Sequence, residues 1–237
     1  MPDNADIAIM VGDYHGTVTS SCLAKTRPIH ESLPFRILVP LEIKRHWEVI
    51  RDEVPWHQKS PTLVWRGATT GYGLRRDFVH ALCSDHDVHF SRVVQHQESW
   101  IDGHPCALKP GNIKPQEMLR HKYQLSLEGN DKASDLQWKL ASNAIVVMPD
   151  PTVESWLFEG RLLPFVHYVP LNRPSDINRT LNWMRSHDKE CQLIVKNANS
   201  FFANRADRSK WHEDLRIILR RASTERRMER RARVQRA

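Results

Sequence analysis

A carboxylate, a set of cations and one glycine turn are the groups in this chain best placed to do chemistry. Asp13 stands beside Gly12 at the end of the apolar residues 7–11, where a strand end can hold a carboxylate over a cleft. Ionised at neutral pH, such a group accepts a proton from a hydroxyl. It also reads as the aspartate of an ordinary strand-ending turn. Arg66 follows the apolar residues 63–65 and precedes Gly67, a placement that aims a guanidinium at developing negative charge. Lys25 and Arg27 are a second basic pair, readable as a cleft lining or as surface charge. Gly129, Asn130 and Asp131, ahead of a helix-like stretch, offer backbone N–H groups to a phosphate. Glu154, in the first turn expected of the next helix, suits paired hydrogen bonds to ribose hydroxyls, or simply the helix dipole. Asp85, His86 and Asp87 have D-x-D spacing, but they lie among mixed charges and read as an exposed turn. No cysteine or carboxylate set completes a metal geometry around His80, His86 and His89, so no metal is expected.

Positioning these residues falls to a run of alternating patterns. Residues 123–127 alternate like a half-buried strand, and the 129–131 turn ends it. Residues 134–141 carry Leu136, Leu140 and Ala141 at helical spacing, and 144–148 is an apolar run short enough for a buried parallel strand. Pro149, Asp150, Pro151 and Thr152 then announce a second helix over 153–159, with a third strand over 165–169. The β-α-β-α-β order predicts a parallel sheet with helices on its faces. Right-handed crossovers gather the turns 128–131, 149–153 and 169–174 on the carboxyl edge, where open α/β sheets hold ligands. Upstream, residues 7–11, 35–39, 63–65 and 88–90 read as strands, and 46–52 and 75–83 as helices. Residues 91–120, punctuated by Gly103, Pro105, Pro110, Gly111 and Pro115, read as an interdomain stretch. The expected units are 1–108, 109–205, and a carboxyl-terminal helix with an arginine-rich tail over 206–237.

Composition limits the class. With 237 residues, 40% of them hydrophobic, the chain can bury a core as one large or two small domains. No apolar run reaches membrane-spanning length, and residues 1–14 lack the basic start of a signal peptide, so a cytoplasmic location is expected. Cys22, Cys83, Cys106 and Cys191 are widely spaced, which predicts reduced structural thiols. The net charge of +7 equals the surplus of nine arginines over two glutamates from Arg216 onward. A body near neutrality argues against nucleic acid as a partner. Trp211, Leu215, Ile218, Leu219 and Ala222 form a helical stripe. The arginines beyond it are either a solvated end or a contact for an anionic surface, such as membrane phospholipid or an acidic glycolipid.

Separated motifs, in order, also resemble one family. GDY at 12–14, AKTRPI at 24–29 and VWRGATTGY at 64–72 precede EGND-KAS-DLQWKLASN-AIVVMP, ESW and EGRLLPFVHYVPL. Over roughly residues 9–200 the chain is similar to glycosyltransferase family 90. That family includes bacterial lipopolysaccharide-modifying enzymes, fungal capsule-associated proteins and Rumi-type protein O-glucosyltransferases. The resemblance implies an α/β fold of the GT-B type: two Rossmann-like halves with parallel sheets and a nucleotide-sugar between them. The amino-terminal half here is shorter than family members usually carry.

The same resemblance implies an inverting, metal-independent transfer of a glucose- or xylose-type sugar from a UDP-sugar to a hydroxyl of a glycan, lipopolysaccharide or protein. No cofactor is implied beyond that co-substrate. Asp13 falls on the family's catalytic aspartate. Arg66 and Arg76, the latter ahead of Arg75, fall on its basic donor contacts, with Gly67 in the same motif. Lys25 and Arg27 resemble a motif lining the cleft. In the eukaryotic branch the 129–131 loop is followed by a serine and, two residues on, an arginine. Ungapped, those places here hold Ala133 and Asp135 with Ser134 between, so Ser134 is the donor contact expected there, and the bacterial branch shares this EGND form. A non-catalytic nucleotide- or glycan-binding relative is the alternative reading, and an adaptor for membrane or nucleic acid rests on the tail alone.

Overall fold

Short apolar runs set the architecture, and their burial on both faces makes it a layered α/β structure. The computed structural model describes residues 8–10, 22–30, 36–40, 50–111, 113–207, 209–210, 212–217, 220 and 224. Four short strands come first: β1 (Ala8–Ile9), β2 (Cys22–Ala24), β3 (Thr26–Pro28) and β4 (Arg36–Leu38). A small parallel sheet has the order β1-β2-β4. The larger sheet is built from β5 (Ser60–Ala68), β6 (Asp87–Arg92), β7 (His121–Leu125), β8 (Ile145–Met148) and β10 (Val169–Pro170). Its order is β10-β8-β7-β5-β6, with every pairing parallel. Numbered along the chain, those five strands run 2-1-3-4-5, a doubly wound order that reverses direction between β5 and β7.

The core explains why β8 reads as an unbroken apolar run. Ile145 and Val147 join one cluster with α1 (Leu74–Leu82), α4 (Ile177–Ser186) and the start of α5 (Asp188–Arg205). Val146 and Met148 face a second cluster with α3 (Leu136–Leu140) and with Ala198, Phe201 and Phe202 of α5. Successive residues point to opposite faces of a strand, so a strand covered on both faces must be apolar throughout. A further short helix, α2 (Pro115–Met118), precedes β7. Among the described residues no helix is long and apolar enough to cross a membrane.

Several expectations need correction. The division expected after residue 108 falls inside the larger sheet, with β5 and β6 before it and β7, β8 and β10 after it. Residues 93–120 are a crossover rather than an interdomain stretch, because Trp100, Ala107, Met118 and Leu119 are buried in the core. The helix expected over 153–159 is replaced by strand β9 (Val153–Ser155), antiparallel to β3, and by a 3-10 turn at Glu159–Arg161. Glu159 holds that bend, accepting hydrogen bonds from Ser155 N at 2.6 Å and Ser155 Oγ at 2.7 Å. The third strand contracts to β10, and residues 163–168 form a tight turn closed by a bridge between Pro164 and Tyr168. Cys83 and Cys106 are disulfide-bonded across a Cα separation of 5.4 Å, which corrects the expectation of four reduced thiols. The helix expected over 46–52 lies mostly outside the described residues; Ile50, Arg51 and Asp52 are not helical.

Candidate functional site

A pocket of about 330 Å³ opens where the strand order reverses, at the carboxyl ends of β5 and β7. In open α/β sheets this switch point is the usual ligand crevice, because loops leaving neighbouring strands diverge to opposite faces. Two glycines let the loops after β5 and β7 touch. Gly71 has φ 101°, and a Cβ there would meet the Gly129 carbonyl oxygen at 2.7 Å. A Cβ on Gly129 would meet Thr70 Oγ1 at 2.7 Å. Gly71 N also donates to Asn130 Oδ1 at 2.8 Å.

The pocket wall includes Arg66, Gly67, Gly129, Asn130, Asp131 and Ser134 of the expected donor residues. Their roles differ from what the chain alone implied. Gly129 N donates to Asp131 O at 3.0 Å, and α3 begins only at Leu136, so these amides do not form a helix start. Arg66 is inward and nearly buried, with Nη2 2.5 Å from Asp87 Oδ1 and Nη1 donating to the Trp65 and Asp87 carbonyls. Asp87 is therefore a strand residue in an ion pair rather than part of an exposed turn. Burial by itself would raise its carboxyl, but hydrogen bonds and charge from Arg66 and Lys109 outweigh this and hold it below the usual range. Among the described residues no group of three histidine, cysteine or acidic side chains is arranged to hold a metal ion.

Of the two adjacent arginines on α1, Arg75 lines the pocket and Arg76 does not. Neighbours on a helix point about 100° apart, so only one can face the sheet edge. Arg75 donates to the carbonyls of Ala68, Leu127 and Glu128 and to Thr70 Oγ1, tying the ends of β5 and β7 together. Arg76 instead pairs with its neighbour Asp77 at 2.9 Å and lies over the Trp100 ring.

The basic pair on the amino-terminal segment meets the acids of the second half. Lys25 Nζ lies 2.5 Å from Asp131 Oδ2. Arg27 contacts Glu154 Oε1 through Nε at 2.8 Å and Nη2 at 2.7 Å, and the two residues are register partners in the β3–β9 ladder. Glu154 is thus a strand residue bound to arginine, outside the wall of the main pocket. The turns after β7 and β8 do share one edge: Glu128 accepts from Thr152 N at 2.9 Å, Thr152 Oγ1 at 2.5 Å and Val153 N at 3.2 Å. Burial raises the Glu128 carboxyl above its ordinary value despite these donors. Glu128 also lines a smaller hollow of about 90 Å³, which shares Lys132 with the main pocket.

Three residues carry more of the site than their sequence positions suggested. Lys132 lines both hollows, is nearly buried, and donates to Gln137 Oε1 at 3.2 Å. Asp135 lines the main pocket and accepts from Ser126 Oγ at 2.8 Å and Lys139 Nζ at 2.5 Å. Lys139 is fully buried and also donates to Leu125 O. The available signal was a lysine between Trp138 and Leu140, on the apolar side of a short helix. Asp13, together with residues 221–223 and 225–237 of the tail, lies outside the described residues.

Comparison with known proteins assigns this architecture to one lineage. Residues 41–210 match the model of glycosyl transferase family 90; the motifs at 12–14 and 24–29 precede that match. Over 184 residues the chain is 32% identical to O-glucosyltransferase LpsA of Dichelobacter nodosus, covering 76% of this chain and 54% of that protein. It is 24% identical to protein O-glucosyltransferase 1 of Rattus norvegicus, covering 67% of this chain and 42% of the rat protein. It is likewise 24% identical to uncharacterized protein 179R of Invertebrate iridescent virus 6, covering 84% of this chain and 20% of the viral one. The chain spans about half the length of the bacterial relative and less of the other two.

Proposed function

The chain belongs to glycosyltransferase family 90, and from that premise we propose that it transfers a glucose- or xylose-type sugar from a UDP-sugar to a hydroxyl of a glycan, lipopolysaccharide or protein. The observation that carries this reading is the pocket at the β5/β7 switch point, with its cationic wall. The small β1-β2-β4 sheet and the five-stranded sheet support a GT-B arrangement, with the acceptor on the side of the former.

Charge placement favours a diphosphate. Each acid nearest the pocket is matched to a base: Asp87 to Arg66, Asp131 to Lys25 and Asp135 to Lys139. Arg75, Arg92 and Lys132 add three further cations to the wall. Fixed donors and charges aimed at a leaving group need no reorganisation as its charge develops, and this is a large catalytic contribution. In this reading Asp13 takes the proton of the acceptor hydroxyl as its oxygen attacks the anomeric carbon in line. UDP departs on the opposite side, so configuration inverts. Side-chain cations serve the role a metal plays elsewhere.

The test is UDP release and product configuration by NMR with UDP-glucose and UDP-xylose, with and without EDTA. One donor should be consumed, its α-linkage should become β, and EDTA should leave the rate unchanged. Asp13→Asn should lower turnover by about 10²–10⁴-fold while UDP affinity stays nearly intact. Turnover within a few-fold of the parent removes Asp13 from the role of base. UDP binding without transfer to any acceptor or to water would favour a non-catalytic relative.

A further inference from the structure

Beyond β10 the carboxyl edge of the sheet continues into a second groove, of about 360 Å³, between the 163–168 turn and α4. Phe165 and Trp183 wall it, with ring centroids 5.1 Å apart and planes at 70°. Phe165 is 53% exposed and has φ 59°, in the left-handed region that L-residues with a Cβ seldom occupy. The surrounding turn imposes that conformation: Phe165 N donates to Tyr168 O at 2.8 Å, and His167 N to Leu163 O at 2.9 Å. A strained backbone therefore holds an apolar ring in water, where hydrophobicity alone would bury it. Trp183 is braced by His187, stacked at 4.8 Å and 13°.

Planar polar groups share the groove. Asn172 is fixed by Asp150, accepting from its backbone N at 2.8 Å and donating to Oδ2 at 2.9 Å. Asp176 is held by Arg173 at 3.0 Å and Arg179 at 3.4 Å. An aliphatic segment of a partner protein would use the two rings and strip water from the amide, carboxylate and guanidinium without replacing it. A pyranose ring meets both requirements, with an apolar C–H face for the aromatic rings and hydroxyls around its rim for the polar groups. Ligand sites of this kind combine apolar walls with a few fixed polar groups that set orientation.

We propose that this groove binds a sugar ring of a glycan, at a place separate from the pocket at the β5/β7 switch point. Asp150, which fixes Asn172, also lines the smaller hollow that adjoins the main pocket. A glycan reaching the main pocket along this edge would therefore rest one ring against the surface that Phe165 and Trp183 form together. The proposal depends on glycosyl transfer only for the source of that glycan.

Saturation-transfer NMR of the full chain with maltotriose and with cellotriose tests it. At least one trisaccharide should bind, and saturating UDP should leave its signal in place. Phe165→Gly removes the ring while suiting the left-handed backbone, so folding is preserved. It should weaken trisaccharide binding by at least about five-fold, the scale expected for truncating a central contact, and leave UDP affinity unchanged. Trp183→Phe, which keeps a ring, should retain part of the affinity. Absence of binding by both trisaccharides, binding unaltered in Phe165→Gly, or displacement by UDP would overturn the proposal. So would a Phe165→Gly effect confined to self-association in sedimentation, which would mark a protein contact. Loss of UDP binding with trisaccharide binding intact would remove the transfer reading and leave the groove standing.

Discussion

At the residue scale, the buried Lys139 shows how much of this site rests on charge pairing below the surface. Its ammonium is fully buried, donating to Asp135 and to the Leu125 carbonyl. Burial pushes its pKa below the ordinary lysine value, and Asp135 opposes that fall. Removing one partner of a buried pair leaves the other charge uncompensated. Asp135→Asn should therefore destabilise the fold by about 3–5 kcal/mol in denaturant titration. Lys139→Met should cost less, because Asp135 borders the pocket and can reach water. The pH dependence has a defined sign. With its folded pKa lowered, Lys139 binds fewer protons in the folded state than in the unfolded state between the two pKa values. Its contribution to stability therefore rises with pH across that alkaline window. In Asp135→Asn the window should widen downward, and a stability profile unchanged in the alkaline range would detach Lys139 from Asp135.

At the element scale, the β3–β9 ladder joins the amino-terminal segment to the loop after β8. Three residues on each side pair antiparallel, with Arg27 opposite Glu154. Opposite charges facing across a ladder stabilise it, and this pair is largely shielded from water. In a double-mutant cycle Arg27→Ala and Glu154→Ala should show a coupling of about 0.5–3 kcal/mol in unfolding free energy, the range for residues in contact. If Glu154 served chiefly as a ribose ligand, the coupling would be near zero and Glu154→Ala would act on UDP affinity alone. Glycines matter at the same scale: Gly71 and Gly129 set the spacing between the loops that form the pocket.

At the scale of the whole molecule, α4 and α5 close the fold and set where the tail can begin. Ile194 and Val195 complete one core cluster, while Ala198, Phe201 and Phe202 complete the other. Among the described residues the buried members of both clusters end at Phe202, and Ala206 packs against the second. Removing residues 223–237, with six of the arginines, should thus leave thermal unfolding and UDP affinity unchanged. If the tail meets an anionic membrane surface, the same truncation should weaken sedimentation with anionic vesicles. The attraction is worth about 1 kcal/mol per basic residue near such a surface and fades as salt screens it. Equal sedimentation of both forms would assign the tail to solvent.

What is local or ordered along the chain could be read from the residues alone. The apolar run that became β8 could be buried only with both faces covered, so its place in a parallel sheet was legible. The family was legible because its motifs keep their order, whatever the intervening chain does. Which groups meet was set by the packing of distant segments. Arg27 and Glu154 stand 127 positions apart, and the signal for a helix start at Pro149–Thr152 could not reveal that β3 would claim the next three residues. Cys83 and Cys106 come together because the end of α1 lies beside the loop after β6. The choice of Arg75 over Arg76 was likewise set by the sheet edge that α1 packs against. Periodicity reports which face of an element is apolar; the partner across that face is a long-range contact, which no linear pattern encodes.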